Sequence, residues 1–328
     1  MLEPATAPSP SRRTTWAVAG AALAVAAYAA LVVLADGRAV LDSLRRQGAS
    51  TLAAALGLVL AAYALRGVRW RVYCRRLGVA PTPSEATAMG MTTGKLGQVL
   101  KAHHLHAGAG VPYGVSVPAG LAERMSDAVG IVALLLVAAG LAREASVGLL
   151  VAGGLFVLAL LALLRSRRAA LALARVLERA PRTRRFGEQV AHAHEHTRDH
   201  LRARELALPV ALAFAAFALE GAAVAALARG LGFPLAWPEA AFVLAAADVA
   251  GMLSLLPGGM GVAEGSMVLL LAAQGAPLAT AAGLTLLARA CTLWLGGALD
   301  VVGAVWMRAL RRAQAGGGRP SASSRKPV

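Results

Sequence analysis

The sequence predicts an all-α polytopic membrane protein with about six full transmembrane helices, two re-entrant or broken helical hairpins and an inverted repeat. Three observations carry that expectation. Apolar spans of bilayer length recur along the chain, glycine-broken apolar segments lie between them, and one set of landmarks occurs twice in the same order.

The spans come first. At 58% hydrophobic and 15% charged residues, with a mean hydropathy of +0.62, the composition departs from that of a soluble domain. Crossing a hydrocarbon core of about 30 Å takes about 20 residues at about 1.5 Å each. Residues 16–35, 52–67 with their flanks, 118–142, 147–164, 208–228 and 278–306 qualify. Residues 86–105 and 240–274 are also apolar but are broken by glycine, proline or lysine. Such breaks are tolerated at membrane depth only where protein or water covers the backbone, so these two segments read as re-entrant hairpins.

This gives an expected order of parts: a cytoplasmic tail over 1–15, a first membrane half over 16–164, a cytoplasmic basic amphipathic linker over 165–207, a second membrane half over 208–310, and a disordered basic tail over 311–328. The broken segments 86–105 and 240–274 fall one in each half. Arg12 and Arg13 before the first apolar run resemble a signal peptide, but the run is long for one and reads as an uncleaved span.

The repeat is carried by Leu77-Gly78 with Glu85-Ala86, and by Leu231-Gly232 with Glu239-Ala240 at the same spacing. Each copy then reaches glycines, Gly94-Lys95-Leu96-Gly97 in the first and Gly259-Met260-Gly261 in the second. Each finally reaches an arginine inside an apolar helix, Arg124 and Arg289. Paired glycine-interrupted segments in two halves are the mark of a repeat-built transporter and point to its binding site.

Charge placement fixes an expected orientation. With the N-terminus inside, six crossings and two returning segments, 24 of the 33 Lys and Arg fall inside, five outside and four at membrane depth. Arg69, Arg71, Arg75, Arg76 and the eleven arginines of 165–204 belong to the inside set. This is the positive-inside pattern, and it makes the two repeats inverted. The expected location is the cell (inner or plasma) membrane, multi-pass, with both termini cytoplasmic. The same placement argues against nucleic acid as the target of the +16 net charge.

Ionisable groups at membrane depth are the candidates for function. Glu123, Arg124 and Asp127 share a span, and Arg289 lies in another with no acid within one turn. Its partner must come from elsewhere, with Glu264 and Asp127 the obvious candidates, or the anionic head group of a bound lipid. Gly94 and Gly97 flank Lys95 in a stretch that suits phosphate at a half-helix N-terminus, and Gly259 and Gly261 break the second segment ahead of Glu264. His192, His196 and His200 share a helical face but read as part of a solvated helix rather than a metal site. His103, His104 and His106 read as interfacial polar residues. Cys74 and Cys291 have neither metal-ligand spacing nor a disulfide framework. No cofactor, metal or catalytic residue is expected.

In order, Gly94-Lys95-Leu96-Gly97 with Lys101-Ala102, Glu123-Arg124-Met125-Ser126-Asp127, and Pro257-Gly258-Gly259-Met260-Gly261 with Glu264 resemble the family that includes the membrane region of lysylphosphatidylglycerol synthases and stand-alone flippase-like proteins. The resemblance runs from about residue 15 to 310. It implies movement of a lipid between leaflets, with aminoacyl transfer confined to a separate soluble domain. The chain departs from the family pattern at Thr93, Gln98 and Ala263, where proline, glutamate and arginine are usual.

The expectation is thus a stand-alone flippase-like protein that binds or translocates an anionic lipid, a phospholipid or a polyprenyl-phosphate-linked one. Lys95, Arg124 and Arg289 would meet the phosphate, with Glu123, Asp127 and Glu264 holding those cations or a cationic head group. The alternatives are an enzyme of lipid modification (aminoacyl-phosphatidylglycerol synthesis or glycosyl transfer) or a membrane subunit of a lipid-synthesising enzyme encoded elsewhere. About forty linker residues cannot enclose a soluble catalytic core, which weighs against an enzyme.

Overall fold

The structure, a computed structural model, describes residues 35–82, 101–106, 110–142, 203–254 and 259–299, with isolated positions that include Glu85 and Met89. Every regular element among these residues is a helix. The alanine- and leucine-rich sequence explains it, since both residues favour helix and their small or straight side chains pack closely. Helix α1 spans Gly37–Arg45 and α2 spans Ala49–Arg76. Helix α3 spans Tyr113–Ala142, and α4 spans Ala203–Gly230. Helix α5 spans Trp237–Leu253, α6 spans Val262–Ala273 and α7 spans Leu278–Arg289.

Four stretches are long and apolar enough to cross a membrane: Ala49–Arg76, Val115–Ala142, Arg204–Gly230 and Leu278–Gly303. They correspond to four of the six expected spans. The other two, 16–35 and 147–164, lie outside the described residues apart from isolated positions, as do 94–97 and most of the 165–207 linker. Boundaries differ in one direction. Helix α2 runs nine residues past Gly67, because hydropathy marks only the apolar part of a helix and arginine is itself a good helix former. Helix α3 starts before Pro118 and α4 before Pro209. Each proline lies near its helix's start, where it disturbs few backbone hydrogen bonds.

The repeated landmarks build the same local structures. Helix α2 ends where Gly78 takes φ +73°, with Val79 N donating to Cys74 O at 2.9 Å. Helix α4 ends where Gly232 takes φ +76°, with Phe233 N donating to Ala228 O at 3.0 Å. Both are Schellman caps, which need the left-handed conformation that glycine adopts without strain. Seven residues after each glycine, a glutamate accepts a backbone N–H three residues upstream. Glu85 takes that of Thr82 and Glu239 that of Ala236, each at 2.9 Å. Further on, Gly110-Val111-Pro112 precedes α3 and Gly275-Ala276-Pro277 precedes α7, both glycines again at positive φ. Arg124 and Arg289 each stand twelve residues after the proline.

The second broken segment is a helical hairpin. At about 1.5 Å per residue, α5 is about 26 Å long and α6 about 18 Å, both short of the hydrocarbon core. They pack on each other, and Gly259 closes so tightly on Gly251 that a Cβ on Gly259 would sit 2.8 Å from the Gly251 Cα. Helix α5 is enclosed, with Ala240 through Ala247 all buried. Helix α4 is the centre of the bundle and touches α2, α3, α5 and α7. Its approach to its neighbours depends on small residues. A Cβ on Gly130 of α3 would meet Ala213 at 2.7 Å, and one on Gly221 would meet Ala241 at 2.9 Å. Helix α1 packs on α7 through Val40 and Ala282, with Ala35 just ahead of α1 in the same cluster.

The α5–α6 turn makes a contrast that stability measurements can read. Gly259→Ala combines a backbone clash with φ +66°, whereas Gly261→Ala meets open space and faces only φ +84°. Gly261→Ala should cost about 1–2 kcal/mol for the left-handed conformation, and Gly259→Ala clearly more. Thermal unfolding of the two variants in detergent should rank them in that order.

Candidate functional site

Buried charge in this bundle is concentrated where α2, α3, α4, α5 and α7 meet. Helix α2 contributes Arg66 and Arg69, one turn apart, and each points at a carboxylate on another helix. Arg69 Nη1 donates to Asp127 Oδ1 at 2.6 Å, and its Nη2 lies 3.5 Å from Glu123 Oε1. Glu123 and Asp127 are one turn apart on α3, so a single guanidinium spans both. Arg66 Nη1 donates to Glu220 Oε1 of α4 at 2.7 Å and lies over the Tyr63 and Phe217 rings.

Lys101 enters the same cluster from the helical stretch 101–106. Its Nζ is 3.0 Å from both oxygens of Glu123 and lies 4.6 Å from the Trp70 ring centroid. Lys101 and Glu123 are both fully buried. Removing either partner of such a pair strands a charge in an apolar core, at about 3–5 kcal/mol. Met89 caps the arrangement as Sδ accepts from Trp70 Nε1 at 2.7 Å.

The second cluster joins the α5–α6 hairpin to α7. Arg289 Nε lies 3.0 Å from Glu264 Oε1, and its Nη1 donates to Asp248 Oδ1 at 3.2 Å. The other Glu264 oxygen accepts the Gly261 N–H at 2.6 Å, so this carboxylate also caps α6. Gly259 and Gly261 shape the turn that brings Glu264 to this point, both at positive φ. Immediately after Arg289 the helix widens into a π turn over Ala290–Trp294. Tyr63 of α2 donates its hydroxyl to Thr292 O at 3.1 Å, and Gly296 provides the space against that hydroxyl.

The two clusters are electrostatically continuous. Arg66 lies within range of Asp127 as well as Glu220, and Asp248 lies within range of Arg66 and Glu220. Counted over the described residues, five cations (Arg66, Arg69, Lys101, Arg124, Arg289) meet five carboxylates (Glu123, Asp127, Glu220, Asp248, Glu264).

Several sequence expectations change here. Arg124 is not enclosed at membrane depth: its side chain is 43% exposed and reaches Asp127 only at 3.5 Å. The deeply buried arginine of this half is Arg69, which the positive-inside count assigned to the cytoplasm. Of the two partners expected for Arg289, Glu264 is found, while Asp127 is taken by Arg69 and Arg124. His104 is buried within the protein. Cys74 and Cys291 are buried free thiols. Lys95, Gly94 and Gly97 lie outside the described residues, as do His192, His196 and His200.

Sequence reasoning passed over Glu220 and Asp248, although both are isolated acids inside apolar runs and therefore carried the same signal as Glu264. Arg66 and Arg69 were harder to single out, because Arg71, Arg75 and Arg76 follow at once and hide them in a basic cluster.

No curated protein matches the chain. The family model for the lysylphosphatidylglycerol synthase TM region matches residues 18–299, which takes in all seven helices, both charge clusters and the α5–α6 hairpin. The chain belongs to the lysylphosphatidylglycerol synthase transmembrane-region family, a family of membrane proteins linked to lipid modification and transport.

Proposed function

We propose that this protein binds the anionic head group of a membrane lipid at the buried charge network and carries it between leaflets. The observation behind this reading is the network itself. Among the described residues five cations and five carboxylates meet in an apolar helical bundle, and ionisable groups at membrane depth by default line a substrate or ion path. Arg124 is the contact we assign to the lipid phosphate. It is the most exposed cation of the network, and its carboxylate keeps Arg69 at 2.6 Å when Arg124 turns away. A guanidinium also matches phosphate with two parallel hydrogen bonds.

The inverted repeat belongs to the same proposal. The matched Schellman caps, the matched glutamate caps and the two Gly-x-Pro starts ahead of Arg124 and Arg289 support a common ancestor for the two halves. Opposite insertion of the halves, with both termini cytoplasmic, rests on the positive-inside pattern. A lipid site formed between such halves would suit alternating access from the two leaflets.

Two expected outcomes follow. Arg124→Gln should fold with near wild-type thermal stability, since a half-exposed pair at 3.5 Å contributes about 0–1 kcal/mol, yet lose most lipid movement. Arg69→Gln should lower stability by several kcal/mol, because it strips Asp127 and Glu123 of a buried partner. Leaflet exposure of labelled lipids in proteoliposomes, at matched protein levels, is the assay, and full activity in Arg124→Gln would remove the head-group role. For orientation, single cysteines placed in residues 165–205, in a background lacking Cys74 and Cys291, should resist an impermeant reagent applied to intact cells. Ready labelling would reverse the assigned sidedness.

A further inference from the structure

We propose that the outer face of helix α2 holds one anionic phospholipid, with its phosphate between Arg71 and Arg75 and an acyl chain along Leu60, Ala64 and Val68. This site uses none of the residues of the central charge network and goes beyond the reading given to it.

Helix α2 sorts its arginines into two sets. Arg66, Arg69 and Arg76 each meet a carboxylate on another helix, Glu220 at 2.7 Å, Asp127 at 2.6 Å and Glu205 at 3.1 Å. Arg71 and Arg75 have no acidic partner among the described residues. They stand one turn apart, where two like charges repel and an anion between them removes the repulsion. Arg71 is half-buried, and its Nε–H is enclosed without an acceptor. Such a group is costly unless an acceptor reaches it. A phosphate oxygen at the Nε edge of the guanidinium supplies one, and the planar fork suits two such bonds. Attraction to the last carbonyls of α2 accounts for Arg75 and Arg76, which lie in its final turn. It does not account for Arg71, a turn earlier.

The rest of the face says what carries the anion. Leu60, Ala64 and Val68 are exposed and four residues apart, and Arg71 and Arg75 continue the same stripe at intervals of three and four. Arg71 stands eleven residues after Leu60, about 17 Å along the helix at about 1.5 Å per residue. That is close to the depth of one leaflet, about 15 Å of a core of about 30 Å. A molecule that fits both stretches has an apolar chain of leaflet length joined to a phosphate, which describes a phospholipid. The positive-inside pattern puts this end of α2 at the cytoplasmic leaflet, where anionic lipids attract clustered arginines.

The test uses the full-length protein in detergent with a phosphatidylglycerol that carries a photoactivatable diazirine on one acyl chain, the crosslinks being mapped to residues by mass spectrometry. Crosslinks should fall on 60–68. Unlabelled dioleoyl phosphatidylglycerol should compete at least about tenfold better than dioleoyl phosphatidylcholine, whose net charge is zero. Replacing both charges, Arg71→Gln with Arg75→Gln, should raise the lipid concentration for half-maximal crosslinking about 25-fold, at about fivefold per arginine. Arg124→Gln, which alters only the central network, should leave crosslinking on this stripe unchanged, so the two sites stand or fall separately.

Undiminished crosslinking in the double variant overturns the site. Equal competition by phosphatidylcholine also overturns it and leaves an unselective lipid coat. Absence of crosslinks on 60–68 does the same, and a disulfide-linked dimer of Ala64→Cys in that case assigns the face to a second copy of the chain. Should the double variant fail to fold, competition between the two lipids on the wild type decides alone.

Discussion

A charge inside an apolar bundle must meet its opposite on a neighbouring helix, and that requirement organises this protein. Hydrophobic contact between helices is weakly directional, and in lipid it supplies little drive for association. The ion pairs supply both position and register. Arg69 fixes α2 against α3, Arg66 fixes α2 against α4, Lys101 ties residues 101–106 to α3, and Arg289 ties α7 to both arms of the α5–α6 hairpin. The glycine contacts are subordinate to this. Gly130, Gly221 and Gly251 allow the backbones near enough for side chains of ordinary length to reach one another. Sliding a helix by one turn, about 5.4 Å, would break every one of its pairs at once.

How much of this was legible in the sequence depends on what each signal measures. Hydropathy found the apolar centres of the four described spans but not their ends, because Arg69, Arg71, Arg75 and Arg76 lower the mean hydropathy of a stretch that continues α2 as helix and buries Trp70, Tyr73 and Cys74. The glycine breaks located the α5–α6 hairpin closely, since Gly259 and Gly261 both take positive φ and Gly259 closes tightly on Gly251. Burial was legible for Glu264, which stands alone in apolar surroundings, and for Glu123, which lies inside a long apolar span. It was illegible for Arg69 and Arg124, whose exposures came out reversed. An arginine's position along a span says how deep its Cα lies, and nothing about which side of the helix faces a carboxylate. That is a property of the packed bundle.

The two stretches that carry the repeated caps and helix starts solve the charge problem differently. Arg124 and Arg289 each follow a Gly-x-Pro helix start by the same interval, yet the residues that accompany Arg124 as Glu123 and Asp127 correspond to Ala288 and Thr292 around Arg289. In the first half the carboxylates lie on the arginine's own helix, and α2 brings a second arginine to share them. In the second half the carboxylates come from α5 and α6, so Arg289 is the cation that two segments share. The local consequences are opposite. Cations outnumber acids around Asp127 and Glu123, while acids outnumber cations around Arg289.

That asymmetry bears on what a symmetric-looking framework can do. On the proposed reading, an anionic head group is drawn first to the half with surplus positive charge, where half-exposed Arg124 can turn toward it while Asp127 remains paired to Arg69. In the other half Arg289 is shared between two carboxylates, Asp248 and Glu264. The π turn directly after Arg289 leaves backbone out of the regular helical register, and Tyr63, which also stacks on Arg66, occupies one of its carbonyls. Helix α2 therefore reaches Asp127 and Glu123 through Arg69, Glu220 through Arg66, and the turn after Arg289 through Tyr63. A shift of α2 would disturb all three contacts together. Such mechanical linkage is what two sites need if occupancy at one is to change affinity at its counterpart.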